Sequence, residues 1–301
     1  MVDLQQPERP RPHVIRAAQV AREAEVRLSA NGVHFALYGE TGVTLPDLDR
    51  MLEAVPAAIV GALKANTYYF VPLALRETAE TRATGQSIDQ AMDQAMVAGV
   101  YSDEMGEAAI CHRNVELGSG QRGVFISTRL MGDRFALCFE FFINVAHALV
   151  DEAGVPASFA ELAWQQALSG ARGETSMDAW ESRNLALGRP INAEPEQVVS
   201  RRGRFASRSF GQAASNVSAS NAPASSVIDE KEKTVFLESA FSDAVAIYLL
   251  SLALDFDYSE LREREYPLLA PSALAARLKL VAELFPPNAG YEFAVKFRRR
   301  A

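Results

Sequence analysis

The chain has 301 residues, 49% of them hydrophobic, with 30 Lys and Arg against 38 Asp and Glu and a formal net charge of −8. That length supports a large apolar core in one big or two smaller domains, and the acidic balance excludes a general nucleic-acid or membrane-surface binder. Two cysteines, Cys111 and Cys138, are too few for a disulfide scaffold. In chain order, residues 1–12 are rich in Pro and Arg and read as a disordered tail. Residues 14–28 carry an amphipathic helix or strand pattern, and Val33 to Tyr38 alternates as a strand. Pro46 opens a helical run to about Lys64, with Asp47 and Asp49 at its positive end and Pro56 as an internal kink. Tyr68 to Leu75 is β-branched and aromatic, which predicts a strand. Residues 87–97, SIDQAMDQAMV, predict a short helix capped by Ser87. The turn-rich GSGQRG at 118–123 joins two partly alternating runs, a hairpin signal.

Residues 134–152, RFALCFEFFINVAHALVDE, are apolar almost all round and predict a buried central helix, stopped by Gly154 and Pro156. Helices are expected over 157–168 and 176–188. Residues 200–228 turn Ser-, Ala- and Asn-rich and read as a flexible insertion. A second buried helix begins near 235. Residues 257–266 are charged, and Pro271 to Leu284 forms an amphipathic helix that Pro286-Pro287 ends. The organisation expected is an α/β part over 13–153 and a helical part over 154–301. The basic clusters, Arg201, Arg202, Arg204 and Arg208 in a loop and Lys296 to Arg300 at the end, read as solvated segments. The N-terminal residues lack the apolar core of a secretory signal, and no run of about 18 residues is cleanly apolar. The expectation is a soluble cytoplasmic protein without membrane insertion, although signal-independent secretion leaves no mark in a sequence.

The polar residues of the central helix are its informative feature. Glu140, Asn144, His147 and Asp151 are spaced by four, three and four, which puts them on one helical face. Buried polar groups need partners, since each one left unpaired costs about 1–3 kcal/mol. His147 admits three roles. It is a core histidine satisfied by hydrogen bonds, a metal ligand with Asp151, Glu140 or Glu238, or an acid/base without metal. Cys111 and His112 are neighbours on a strand and point to opposite faces, so they do not form a dyad. Gly39-Glu40-Thr41-Gly42 is a turn without the Lys-Ser/Thr of a phosphate loop. Gly118-Ser119-Gly120 lacks the spacing of a nucleophile elbow. Trp164, Trp180 and the Phe cluster at 135–142 read as core.

The segment around His147 resembles the zinc helix of zincin metallopeptidases, HExxH. In those enzymes two His hold zinc and the Glu activates a bound water. The motif covers Ile143, Asn144, Val145, Ala146 and His147 here, so only the second His is present. Residues 236–252, FLESAFSDAVAIYLLSL, are similar to the downstream glutamate helix of gluzincins, including the anthrax lethal-factor-like group. There Asp243 falls on the supporting Asp and Ser239 on the ligand Glu. Glu238 is one residue early, about 100° round the helix. Ala98, Gly99 and Tyr101 match a strand that precedes the active-site helix in this group. The resemblance spans roughly residues 33–285.

It implies an α+β, zincin-like fold: a small mixed sheet packed on the buried central helix, then a mostly helical C-terminal half. It implies a cleft lined by Glu140, Asn144, His147, Asp151, Ser239 and Asp243. With Ile143, Asn144 and Ser239 in place of the first His, the base and the Glu ligand, it implies a catalytically inactive metallopeptidase-like protein without a cofactor, which binds a peptide or protein partner. The alternative is an active zinc-dependent hydrolase with His147, Asp151 and Glu238 as displaced ligands.

Overall fold

The computed structural model describes residues 14–76, 95–128, 134–189, 228–261 and 266–296. Its centre is a five-stranded mixed sheet. The strands are β2 (Arg27–Leu28), β3 (His34–Leu37), β4 (Asn66–Val71), β7 (His112–Gly118) and β8 (Gln121–Ser127), in the order β2-β3-β4-β8-β7. The inner strands β3, β4 and β8 are parallel, and β2 and β7 close the two edges antiparallel. Every residue of β4 is buried, as expected for a strand covered on both faces. Tyr68 and Phe70 face the larger core with Val124 and Ile126. Tyr69 and Val71 face a smaller core with Phe125 and Val20 of α1 (Ala17–Glu23). The Tyr69 and Phe125 rings stack at 4.6 Å.

Pro72 interrupts β4, and the chain re-enters a second, antiparallel sheet as β5 (Leu73–Arg76), with β1 (Val14–Arg16) and β6 (Ala95–Ala98). The helix expected over 87–97 is thereby corrected at its end: residues 95–97 lie in β6, and 87–94 lie outside the described residues. Ala95 to Ala98 pair with β5 on one side, and Met96 to Ala98 with β1 on the other. Hydrogen bonding on both sides overrides a weak local helix preference. The hairpin is as expected. Ser119 and Gly120 between β7 and β8 both have positive φ, 54° and 75°, which suits a tight turn matched to strand twist. The expected run from Pro46 divides at Pro56 into α2 (Leu45–Glu53) and α3 (Ala57–Val60). Thr44 caps α2 by accepting from the Asp47 amide.

Among the described residues beyond β8 the regular structure is helical apart from one isolated bridge, so the protein is α+β with a mixed sheet and a mostly helical C-terminal half. The helices are α5 (Arg134–Ala153), α6 (Ala157–Leu168), α7 (Met177–Ala186), α8 (Glu230–Ala253) and α9 (Pro271–Leu284); the short α4 (Asp103–Gly106) precedes β7. The larger core unites the sheet face with α5 and α8. By length and composition α8 is long and apolar enough to cross a membrane, but 72% of its most apolar window is buried inside the protein. Its hydropathy is that of a core helix. The expected insertion at 200–228 lies outside the described residues except for Ile228, which is exposed.

The segment after α9 ties the two halves together. Asn288 donates to the Glu53 and Val55 carbonyls at 2.8 Å each and accepts from the Ala57 amide at 3.0 Å. It thus satisfies the end of α2 and the start of α3 at once. Asn288→Ala is expected to lower stability by about 1–2 kcal/mol, read as a lower urea midpoint at unchanged slope. An unchanged midpoint would show that water replaces these bonds.

Candidate functional site between the central helix and the edge strand

The polar stripe of α5 faces the start of the edge strand β7. Cys111, just before β7, lies beside Glu140 and Asn144. Arg113 lies within electrostatic range of both Cys111 and His147. Asn114 donates from Nδ2 to Asp151 at 3.3 Å. A register shift between His112 and Val115 makes this possible, with Asn114 in the left-handed region at φ +57°. Such bulges re-aim side chains at sheet edges. His112 goes elsewhere: its Nε2 lies 2.7 Å from the Leu75 carbonyl. Cys111 and His112 therefore diverge, as strand alternation implies.

Asn144, at the motif's water-activating position, is 2% exposed. Its Nδ2 donates to the Glu140 carbonyl at 2.7 Å and to Glu140 Oε1 at 3.1 Å. The side chain of Asn144 is thus held by Glu140 one turn earlier, and it also bonds Cys111. Ile143, at the first-ligand position, packs against the larger apolar core. Burial pushes the Cys111 thiol far up, and Glu140 adds to the shift. A thiol held neutral in this way is a poor nucleophile. Burial lowers His147 to about 4, Arg113 adds to the depression, and Asp151 and Asp178 oppose it. His147 is a neutral, half-buried imidazole at neutral pH.

Helix α8 packs directly on α5 and on α7. It supplies Asp243, which is 8% exposed and accepts from the Thr175 hydroxyl at 2.8 Å. Burial raises Asp243 to about 6, against the Ser176 and Thr175 hydroxyls. Asp178, in the first turn of α7, lies within electrostatic range of His147. Ser239 is half-buried one turn before Asp243, and Glu238 is exposed.

Among the described residues no three His, Cys, Asp or Glu side chains gather closely enough to hold a metal ion. His147, Asp151 and Glu238 form no such group.

Sequence reasoning missed the partners of these groups. Next to Asp243 lies a buried ionic cluster. Glu174 accepts from Arg183 at 2.9 Å and from Arg277 at 2.9 and 3.3 Å, and all three side chains are at most 3% exposed. Arg277 also donates to Gln166 at 2.7 Å. Arg183 donates to the Ala171 and Gly173 carbonyls and lies 4.5 Å from the Trp180 ring centre. The one available signal was Ser176, the cap of α7, which marks where this segment turns inward.

No family model matches the chain, and neither the curated proteins nor the solved structures contain a significant match to it.

Proposed function

We propose that the protein is a zincin-like, catalytically inactive relative of metallopeptidases, whose cleft between α5 and β7 binds a peptide or protein segment. The observation that carries the reading is the bonding of Asn144. A carboxylate at this position would take a proton from water; an amide cannot, and this one donates to Glu140 within the helix. Ile143 and Ser239 stand where two of three ligands are expected. The polar stripe finds neighbours in Cys111, Arg113 and Asn114, so its retention needs no metal. What the arrangement offers is a sheet edge beside a helix carrying His147, Asp151 and the exposed Arg113, a surface suited to an extended segment.

The test is a displayed peptide library selected on the whole protein, with each recovered peptide measured again on Arg113→Glu and His147→Ala. Affinity is expected to fall about tenfold or more on both variants. Peptides that bind both variants as they bind the parent would place the interaction elsewhere and sink this reading.

A further inference from the structure

The connection Ser29–Val33 between β2 and β3 holds Asn31-Gly32, the one Asn-Gly pair of the sequence. Such a pair is a reactive context for asparagine, because the following glycine has no Cβ to hinder its amide nitrogen. In the reaction the Gly32 nitrogen attacks Asn31 Cγ. A nitrogen–carbon bond forms and the bond from Cγ to the side-chain nitrogen breaks. That nitrogen leaves as ammonia with the proton of the Gly32 amide. Water then opens the five-membered imide at either carbonyl and leaves aspartate or isoaspartate. The net change is one water taken up and one ammonia released.

The fold restrains both partners of that attack. Asn31 Nδ2 donates to the Leu52 and Val55 carbonyls at 2.8 Å each, and Oδ1 accepts from the Ser29 hydroxyl at 2.6 Å. Two carbonyls are met only by donors, so the amide has one orientation here. The nucleophile is engaged as well: the Gly32 amide donates to the Ser29 carbonyl at 2.9 Å. The Ser29 amide donates to the Val33 carbonyl at 3.0 Å and closes the connection, with Gly32 at φ +96°. Asn31 is only half-buried, so solvent reaches it and hydrogen-bond geometry is what holds the reaction back.

What Asn31 holds is the end of α2. Leu48, Met51 and Leu52 of that helix are buried in the larger core. Asn288 donates to the same Val55 carbonyl at 2.8 Å, so two asparagines from distant parts of the chain meet at one oxygen. An aspartate at position 31 does not rebuild this joint. A carboxylate only accepts, and it would set a negative oxygen against the Leu52 and Val55 carbonyl oxygens with no hydrogen between. Isoaspartate, in addition, routes the main chain through the side-chain carbon and lengthens the connection.

We propose that Asn31 is a modification site at which water replaces the amide nitrogen, and that the joint between the β2–β3 connection and α2 gates the reaction. Once modified, the joint does not close again. The site is therefore a one-way record of opening at the end of α2. Local opening of this kind is governed by the few bonds that hold a segment down, and here those bonds come from Asn31 and Asn288. Neither residue belongs to the α5–β7 cleft, so the proposal stands apart from the reading of that cleft.

The test is peptide mapping by mass spectrometry of the full chain after incubation in mildly alkaline buffer, with aspartate and isoaspartate at position 31 resolved. Four samples are compared: the folded parent, the parent unfolded in guanidinium chloride, and folded Asn288→Ala and Ser176→Ala. The unfolded chain should convert about tenfold or more faster than the folded parent. Asn288→Ala loosens the joint without touching the reacting atoms and should convert about fivefold or more faster than the parent. Ser176→Ala removes the cap of α7, a feature of comparable worth, and should leave the folded rate unchanged. Asn31→Asp should unfold at a lower urea concentration than the parent. No conversion in the unfolded chain would remove the site. A folded parent as fast as the unfolded chain, or Asn288→Ala no faster than the parent, would remove the gate. Equal acceleration by Ser176→Ala would assign the reaction to global unfolding and overturn the gate as well. An Asn31→Asp midpoint equal to the parent's would show that the joint recloses, against the proposal.

Discussion

Glu174→Gln is expected to destabilise the protein by about 3–5 kcal/mol, enough to unfold much of a marginally stable domain at 37 °C. Glu174 is fully buried and accepts three bonds from two guanidinium groups that are themselves buried. Removing its charge takes the carboxylate from both Arg183 and Arg277, with Asp243 within electrostatic range of Arg277. The cost is that of stranded charge rather than of lost contact area. Replacing the cluster as a unit, with Glu174→Leu, Arg183→Met and Arg277→Met together, should cost far less than Glu174→Gln alone, since buried ion pairs often exchange for apolar groups at little loss. Urea unfolding of the two proteins decides it. A Glu174→Gln protein within about 1 kcal/mol of the parent would show that water enters the cluster and screens it.

Stability should depend on pH through two groups that act in opposite directions. His147 falls from 6.5 to about 4 in the folded protein. Its contribution is fully present above pH 6.5 and is lost as pH falls from there toward 4, because the unfolded chain binds the proton first. Asp243 rises from 3.8 to about 6. Its folded form takes up the proton first, so its contribution grows as pH falls from 6 toward 3.8. Between pH 7 and 4.5 each effect amounts to about 2 kcal/mol, and they nearly cancel. The parent should therefore show a shallow profile in this window. Asp243→Asn unmasks His147 and should lose about 2 kcal/mol more than the parent on acidification. His147→Gln unmasks Asp243 and should gain a similar amount relative to the parent. Denaturant midpoints for the three proteins at both pH values test this, and parallel profiles would contradict the placement of both groups.

Much of the architecture was legible in the sequence where local signals and burial agree. Pro271 opens α9, Gly154 follows α5 at positive φ, and the Ser119-Gly120 turn fixes the β7–β8 hairpin. The four-three-four spacing put the polar stripe of α5 on one face, which the contacts with Cys111 and Asn114 bear out. Residues 95–97 were misread because their neighbours in both strand pairings are distant in sequence and leave no local trace. The ionic cluster was illegible for the same reason. Glu174 and Arg277 are 103 positions apart, and each looks like an ordinary surface charge. Asp243 could be singled out by resemblance, but its bond to Thr175 could not.

The central claim is that the motif positions no longer support zinc hydrolysis. Its most direct measurement is elemental analysis of the untagged protein after equilibration with zinc, paired with chelator-sensitive cleavage of a peptide library. The parent, His147→Ala and the Ile143→His/Asn144→Glu double variant are measured together. Zinc well below stoichiometric in the parent, with no chelator-sensitive cleavage, is the expected result, since losing the base alone removes roughly 10²–10⁴-fold of rate. Stoichiometric zinc in the parent that His147→Ala abolishes, accompanied by chelator-sensitive cleavage, would contradict it and establish an active hydrolase with displaced ligands.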